Sequence, residues 1–225
     1  MAMIYGMDTK EPANTRLTNG YDLYGWVMRQ SGFPSFWARP VSGRNKLTPE
    51  EAAFLHERNC RVIPVFDDLS EAAVAGVNGS GDALRAADAA RTAGVPANRG
   101  IAIFARIKDG WNINHNWMIG FTNTLLNNGY IPGYIGNTDS SKDFNFDRQC
   151  SHYINFMGEI AKDSTAYWAT EPRPGVPPTA WAPYCPSSVT PEEIDLWSTG
   201  GKVMYKDILF KKVYARGESV RRFMW

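Results

Sequence analysis

The sequence predicts an alternating α/β chain closed into a single (β/α)8 barrel of the TIM type. Three observations carry this. Residues 79–107, GSGDALRAADAARTAGVPANRGIAIFARI, set a helical period directly before a strand. Ala83, Ala86, Ala87, Ala90 and Ala93 recur at three- and four-residue steps, so one helix face is small and apolar. Gly94 and Pro96 end that helix, and Ile101 to Ile107 follow as an apolar run of the kind buried in parallel sheets. The same alternation recurs along the rest of the chain. Finally, 225 residues suit one barrel, and 44% hydrophobic with 21% charged residues exclude a disordered chain.

Residues 3–8, MIYGMD, form the first strand and end on Asp8. Residues 21–31 carry Leu23, Tyr24, Val27 and Met28 as the first helix. Residues 36–41, FWARPV, are the second strand, with Arg39 near its exit. Thr48, Pro49 and Glu51 then spell a capping box, so a helix starts there. Residues 61–68, RVIPVFDD, are the third strand, with Pro64 where its missing N–H does no harm. After the helix and strand of 79–107, residues 116–128 are helical, 130–137 form the fifth strand, and 147–161 form an amphipathic helix through Cys150, Tyr153, Ile154, Phe156, Met157 and Ile160. Residues 166–170 are the sixth strand. Residues 172–191 form a proline-rich loop holding Trp181 and Tyr184. Residues 194–198 are the seventh strand and 203–210, around Asp207, the eighth. This divides the chain into a barrel over 1–210 and a basic C-terminal tail over 211–225, with no 20–50-residue repeat. The final Phe-Met-Trp of the tail is open to docking on a protein partner or on the barrel floor.

A net charge of +1 gives no electrostatic footprint for nucleic acid or a membrane surface. No transmembrane run or signal peptide is visible, and strand-like sequence begins at Met3. The expectation is therefore cytoplasmic synthesis, with a phage-type or non-classical route of release left open. Cys60, Cys150 and Cys185 are an odd count without metal spacing, which favours free thiols over a disulfide. His56, His115 and His152 show no ligand spacing either, and neither metal nor cofactor is expected. Aromatic residues make up 13%, eight of them tryptophans; most belong to the core, and the remainder suit a sugar-stacking cleft.

In their order, these segments resemble the glycoside-hydrolase-like domains of the DUF1906 family, fold relatives of the GH25 lysozymes. IYGMDT (4–9), FWARPV (36–41), LTPEEAAFL with RVIPVF (47–66), GDALRAADAARTAGVP (81–96), NNGYIPGYIGN (127–137) and IDLWSTGGKVMYKDILF (194–210) carry the likeness across about 200 residues. The resemblance implies a TIM-type barrel acting on or binding cell-wall glycan, peptidoglycan in particular. One departure stands out. In the family the fourth strand ends with an acidic residue, and in GH25 lysozymes it carries an Asp-x-Glu pair. Here the place reads Phe104-Ala105-Arg106-Ile107-Lys108-Asp109: the carboxylate's place falls on or about Ile107, with Arg106 beside it, and Asp109 substitutes only if the strand ends later.

Glycoside hydrolysis needs two carboxyl groups flanking the scissile bond. In a barrel the strand ends converge at one mouth, so Asp8, Asp67 and Asp207 are the candidate catalytic acids. Arg39, Tyr134, Trp181 and Glu171 are the candidate ligand-binding residues. Asp68 and Asp109 read better as ordinary loop caps. Two functions follow. One is an acid/base glycoside hydrolase. The other is a catalytically degenerate barrel serving as a glycan-binding, structural or assembly module, a phage or injection machine being one setting. The altered fourth strand favours the second on mechanism.

Overall fold

The computed structural model describes residues 3–139, 145–171, 178–200, 202–217 and 223–225. Seven strands run parallel, each beside the one before it: β1 (Met3–Asp8), β2 (Phe36–Pro40), β3 (Arg61–Phe66), β4 (Ala102–Arg106), β5 (Ile131–Asn137), β6 (Ala166–Thr170) and β7 (Leu196–Ser198). A hairpin follows, β8 (Lys202–Tyr205) and β9 (Ile208–Arg216). β9 is hydrogen-bonded to both β7 and β1, antiparallel to each, and closes the ring. The barrel is therefore a closed eight-stranded one, with β8 attached outside the ring. The expected eighth strand at 203–210 is corrected by this. Residues 206–207 are the turn of a hairpin, with Lys206 at φ 49°, and the closing strand begins at Ile208. The boundary expected between barrel and tail at 210/211 falls inside β9.

Strand parity explains the packing. Side chains on a strand alternate between two faces. Phe36 and Ala38, Ile63 and Val65, Ala102 and Phe104, Ile135, Ala166 and Trp168, Leu196, Val213 and Ala215 fill the barrel interior. Each large side chain removed from water there contributes about 1.5–3 kcal/mol. The alternate residues, such as Trp37, Val62, Ile103, Tyr134, Tyr167 and Trp197, face the surrounding helices. Gly6 fits this interior because a Cβ would lie 2.3 Å from the Phe36 ring. Phe223 and Met224 complete the same interior cluster, and the Trp225 N–H and carbonyl both bond Val62 at 2.9 and 2.7 Å. The chain's last three residues thus seal the barrel floor.

The helices are α1 (Leu23–Ser31), α2 (Pro49–His56), α3 (Glu71–Ala75), α4 (Gly79–Thr92), α5 (His115–Asn127), α6 (Asn145–Met157) and α7 (Glu159–Asp163). The alanine face of α4 is buried as expected, and α4 lies close on α5: a Cβ on Gly79 would sit 1.8 Å from the Trp117 carbonyl oxygen. Thr48 caps α2 by accepting from the Glu51 N–H, but only half of the expected capping box forms. The Glu51 carboxylate is drawn instead to Arg39 and to the Ala13 N–H. The helix expected over 147–161 is broken at Gly158 (φ 56°), and Phe156 and Ile160, expected on its apolar face, are exposed. α3 has no counterpart in the sequence reading. The three cysteines are free, with Cys60 and Cys150 buried. Among the described residues no helix is long and apolar enough to cross a membrane. Of the proline-rich loop, residues 172–177 lie outside the described residues, as do 218–222 of the tail.

Candidate functional site

The inward row one step beyond the hydrophobic interior is polar. Following parity up each strand, Ala102 and Phe104 lead to Arg106, Ala166 and Trp168 to Thr170, and Leu196 to Ser198. On β1, Ile4 and Gly6 lead to Asp8. On β9, which runs the other way, Ala215 and Val213 lead to Lys211. These residues lie at the mouth end of the barrel and line a cavity of about 480 Å³ together with Lys108, Glu171 and Lys202. A second cavity of about 370 Å³ adjoins it, sharing Asp8, Arg106 and Lys211 and walled further by Lys10, Asp207 and Leu209.

The two cavities meet at an ion pair. Arg106 reaches from β4 to Asp8 on β1 and donates from Nη1 to Oδ2 at 3.0 Å and from Nη2 to Oδ1 at 2.8 Å. This forked geometry engages both carboxylate oxygens. The side chains are 19% and 8% exposed, so the pair is largely withdrawn from water. The guanidinium carbon stands 5.9 Å from the centre of the Trp168 ring, and the Trp168 indole N–H donates to Ser198 Oγ at 2.8 Å. The floor of the mouth is thus a neutralised, hydrogen-bonded layer over the core.

Of the expected catalytic acids, Asp8 and Asp207 border the same cavity, Asp207 from the exposed hairpin turn. Asp67 does not join them. It lies beside Lys10 at 3.7 Å and lines a separate cavity of about 340 Å³ with Asp68 and Arg44. Glu171 is buried at the wall of the main cavity, where its Oε1 accepts the Tyr184 N–H at 2.7 Å. Arg39 is fully buried under α2. Its three nitrogens donate to Glu51 at 2.7 Å, the Thr9 carbonyl at 2.9 Å and the Asn45 carbonyl at 2.7 Å. Tyr134 is likewise fully buried, its hydroxyl bonded to Thr122 and Met118, and burial pushes its phenol well above the usual range. Trp181 is half-buried, donates to the Pro191 carbonyl and packs edge-on to Trp197 at 5.6 Å; it lines neither mouth cavity. Arg39 and Tyr134 sit on the helix-facing parity of their strands, which takes them away from the mouth.

Sequence reasoning missed Arg106, Lys211, Lys202, Thr170 and Ser198 as site residues. Parity was the available signal, since Arg106 keeps step with Ala102 and Phe104. Lys211 was hidden by its place in what reads as a basic tail. Among the described residues, no group of three or more His, Cys, Asp or Glu side chains could hold a metal ion.

No protein-family model matches the chain, and no curated protein sequence matches it. Solved structures do. An uncharacterized B. stearothermophilus protein superposes with a TM-score of 0.81 at 22% identity, covering 99% of this chain and 100% of that one. The Mycobacterium tuberculosis Tat-secreted protein Rv2525c, crystallised with HEPES, gives 0.64 at 13% identity over 98% of each chain. A bacterial lysozyme from Streptomyces coelicolor gives 0.57 at 10% identity, over 98% of this chain and 95% of that one. At these identities the likeness is one of fold alone: a closed β/α barrel shared with a bacterial lysozyme.

Proposed function

We propose that this chain is a glycan receptor of the DUF1906 type, a barrel that binds cell-wall glycan, peptidoglycan foremost, at its mouth without hydrolysing it. The observation that carries the reading is the forked Asp8–Arg106 pair. Hydrolysis needs one carboxyl group to donate a proton and another to attack or to activate water. The strand-end acid on β1 has both oxygens committed to a guanidinium. The facing strand, β4, supplies that guanidinium instead of a second acid. What remains at the mouth suits binding: two joined cavities, hydroxyls on Thr170 and Ser198, and exposed charge at the rim. The fold likeness to a lysozyme supports glycan as the ligand class.

Hydrolysis through Asp8, Asp67 and Asp207 is the competing reading, and what favours it is that Asp8 and Asp207 border one cavity. Turbidity clearing and co-sedimentation with purified cell walls separate the two. The receptor reading expects wild type to sediment with walls and to leave their turbidity unchanged. Clearing by wild type that is lost in Asp8→Asn would overturn it in favour of the hydrolase.

A further inference from the structure

The larger cavity carries more positive charge than its own acids balance. Arg106, Lys108, Lys202 and Lys211 face Asp8, Asp109 and Glu171 across it. Asp8 is paired with Arg106, which leaves Lys108, Lys202 and Lys211 against Asp109 and Glu171, an excess of one positive charge. The strand register sharpens the imbalance. Lys211 stands directly opposite Asp8 on β1 and directly opposite Lys202 on β8. Directly paired residues of antiparallel strands project to one side, so Asp8, Lys211 and Lys202 form a single cross-strand row. Asp8 is turned to Arg106, and among the described residues neither lysine has an ion-pair partner. Two like charges thus oppose each other at the wall of a cavity, an arrangement that opposes folding. An anion seated between them would relieve it. Thr170 and Ser198 line the same cavity and supply hydroxyls for a polyhydroxylated neighbour of that anion.

We infer that the Lys202–Lys211 pair is an anion seat, and that the ligand of the mouth is an acidic saccharide whose charged group lies between these two ammonium groups. The inference rests on the glycan-receptor reading and adds the charge of the sugar. Ammonium groups act as point charges, so a sugar carboxylate and a sugar phosphate share the chemistry. Glucuronate, glucose 6-phosphate and neutral glucose are the probes, titrated calorimetrically against the whole chain at low ionic strength. The titrations are repeated at about 0.15 M salt, where screening sets in within about 8 Å.

The expected result is binding of one or both anionic sugars, weakened by salt, with glucose at least tenfold weaker, a gap of about 1.4 kcal/mol. Glucuronate binding assigns the charge to a carboxylate; binding of glucose 6-phosphate alone assigns it to a phosphate. Lys202→Gln and Lys211→Gln each weaken the anionic sugar by about threefold, the order of one exposed charge contact, and the double variant removes its advantage over glucose. Lys202→Gln without ligand melts no lower than wild type, because a repulsion is gone; a residue with a purely structural role would melt lower. Equal binding of glucose and glucuronate, or full affinity in the double variant, overturns the anion seat. Should that protein still sediment with cell walls, the receptor reading stands while the seat falls. Loss of wall binding in wild type removes both.

Discussion

Removing Arg106 tests the central contact of the mouth. In Arg106→Ala the Asp8 carboxylate, 8% exposed beside the arginine, loses both of its guanidinium bonds. Breaking a fully buried pair from one side costs about 3–5 kcal/mol, whereas an exposed pair is worth about 0.2–1 kcal/mol. Arg106 is 19% exposed, which puts the loss between these limits, at about 2–3 kcal/mol. Part of it is lost contact between the guanidinium and the Trp168 ring. Asp8→Ala should cost a similar amount, since it strands the guanidinium over the core. The double variant leaves no unpaired charge and should cost less than the sum of the two, by about 1.5 kcal/mol. Urea unfolding reads all three. With a slope of about 2.5 kcal/mol/M, each single variant lowers the midpoint by about 1 M. Additivity within about 0.5 kcal/mol would refute the reasoning: the pair would then be a surface contact, and Asp8 would be free for chemistry.

Three further outcomes follow from packing and burial. Gly79→Ala pushes a methyl group into the Trp117 carbonyl at 1.8 Å, where the obstacle is backbone, and should destabilise by about 3 kcal/mol or separate α4 from α5; thermal melting checks it. Phe223→Ala opens the barrel floor and should cost about 3–5 kcal/mol, a fall in Tm of about 10 °C for a chain of this size; a wild-type Tm would mean that the last residues are dispensable. Burial raises the Asp147 carboxyl above the ordinary carboxylate range, more than a Ser187 backbone bond lowers it, and Oδ1 is buried without a partner. The folded state therefore favours its neutral form. That penalty is absent at pH below the ordinary carboxylate range, grows as pH rises to the raised value, and is complete above it. Asp147→Asn should be more stable than wild type at neutral pH and flatter through that window, and identical pH slopes would discount the burial.

The strand order was legible because it is written in local terms. All seven parallel strands were read to within two residues of their ends, since apolar runs between helix periods and turn signals define them one by one. The end of the barrel was not. The segment from 202 to 216 lacks the preceding α-helix that β2 to β6 each have, and lysines at 202, 206, 211 and 212 dilute its apolar pattern, so most of β9 reads as a tail. The β8–β9 hairpin is local, but the pairing that carries β9 to Arg216 is the ring closure, in which it bonds β1 along six residue pairs, and that is a long-range fact. At the site, residue type misled where parity would have served. Arg39 and Tyr134 have chemistry suited to a ligand but alternate with Ala38 and Ile135, which face inward, and so must face the helices. Asp8 and Asp67 share the inward parity, yet only Asp8 ends up beneath the two joined cavities.

One position on β4 decides two properties of the mouth at once. An acid at 106 would stand near Asp8 as a second carboxylate, with the lysines of β8 and β9 as counter-charges to the pair. Arginine at 106 reverses both relations. It engages the two oxygens of Asp8 and turns that carboxylate to β4, although its opposite number across the β1–β9 ladder is Lys211. The charge left unbalanced is then on the lysines. On the receptor reading proposed above, the absence of acid chemistry and the anion seat trace to the same residue. For that reason Arg106→Ala should do more than destabilise the barrel: with Asp8 released toward Lys211, affinity for glucuronate should fall even though Lys202 and Lys211 are both in place. Unchanged glucuronate affinity in Arg106→Ala would show that the two lysines are indifferent to Asp8, and would separate the ion pair from the seat.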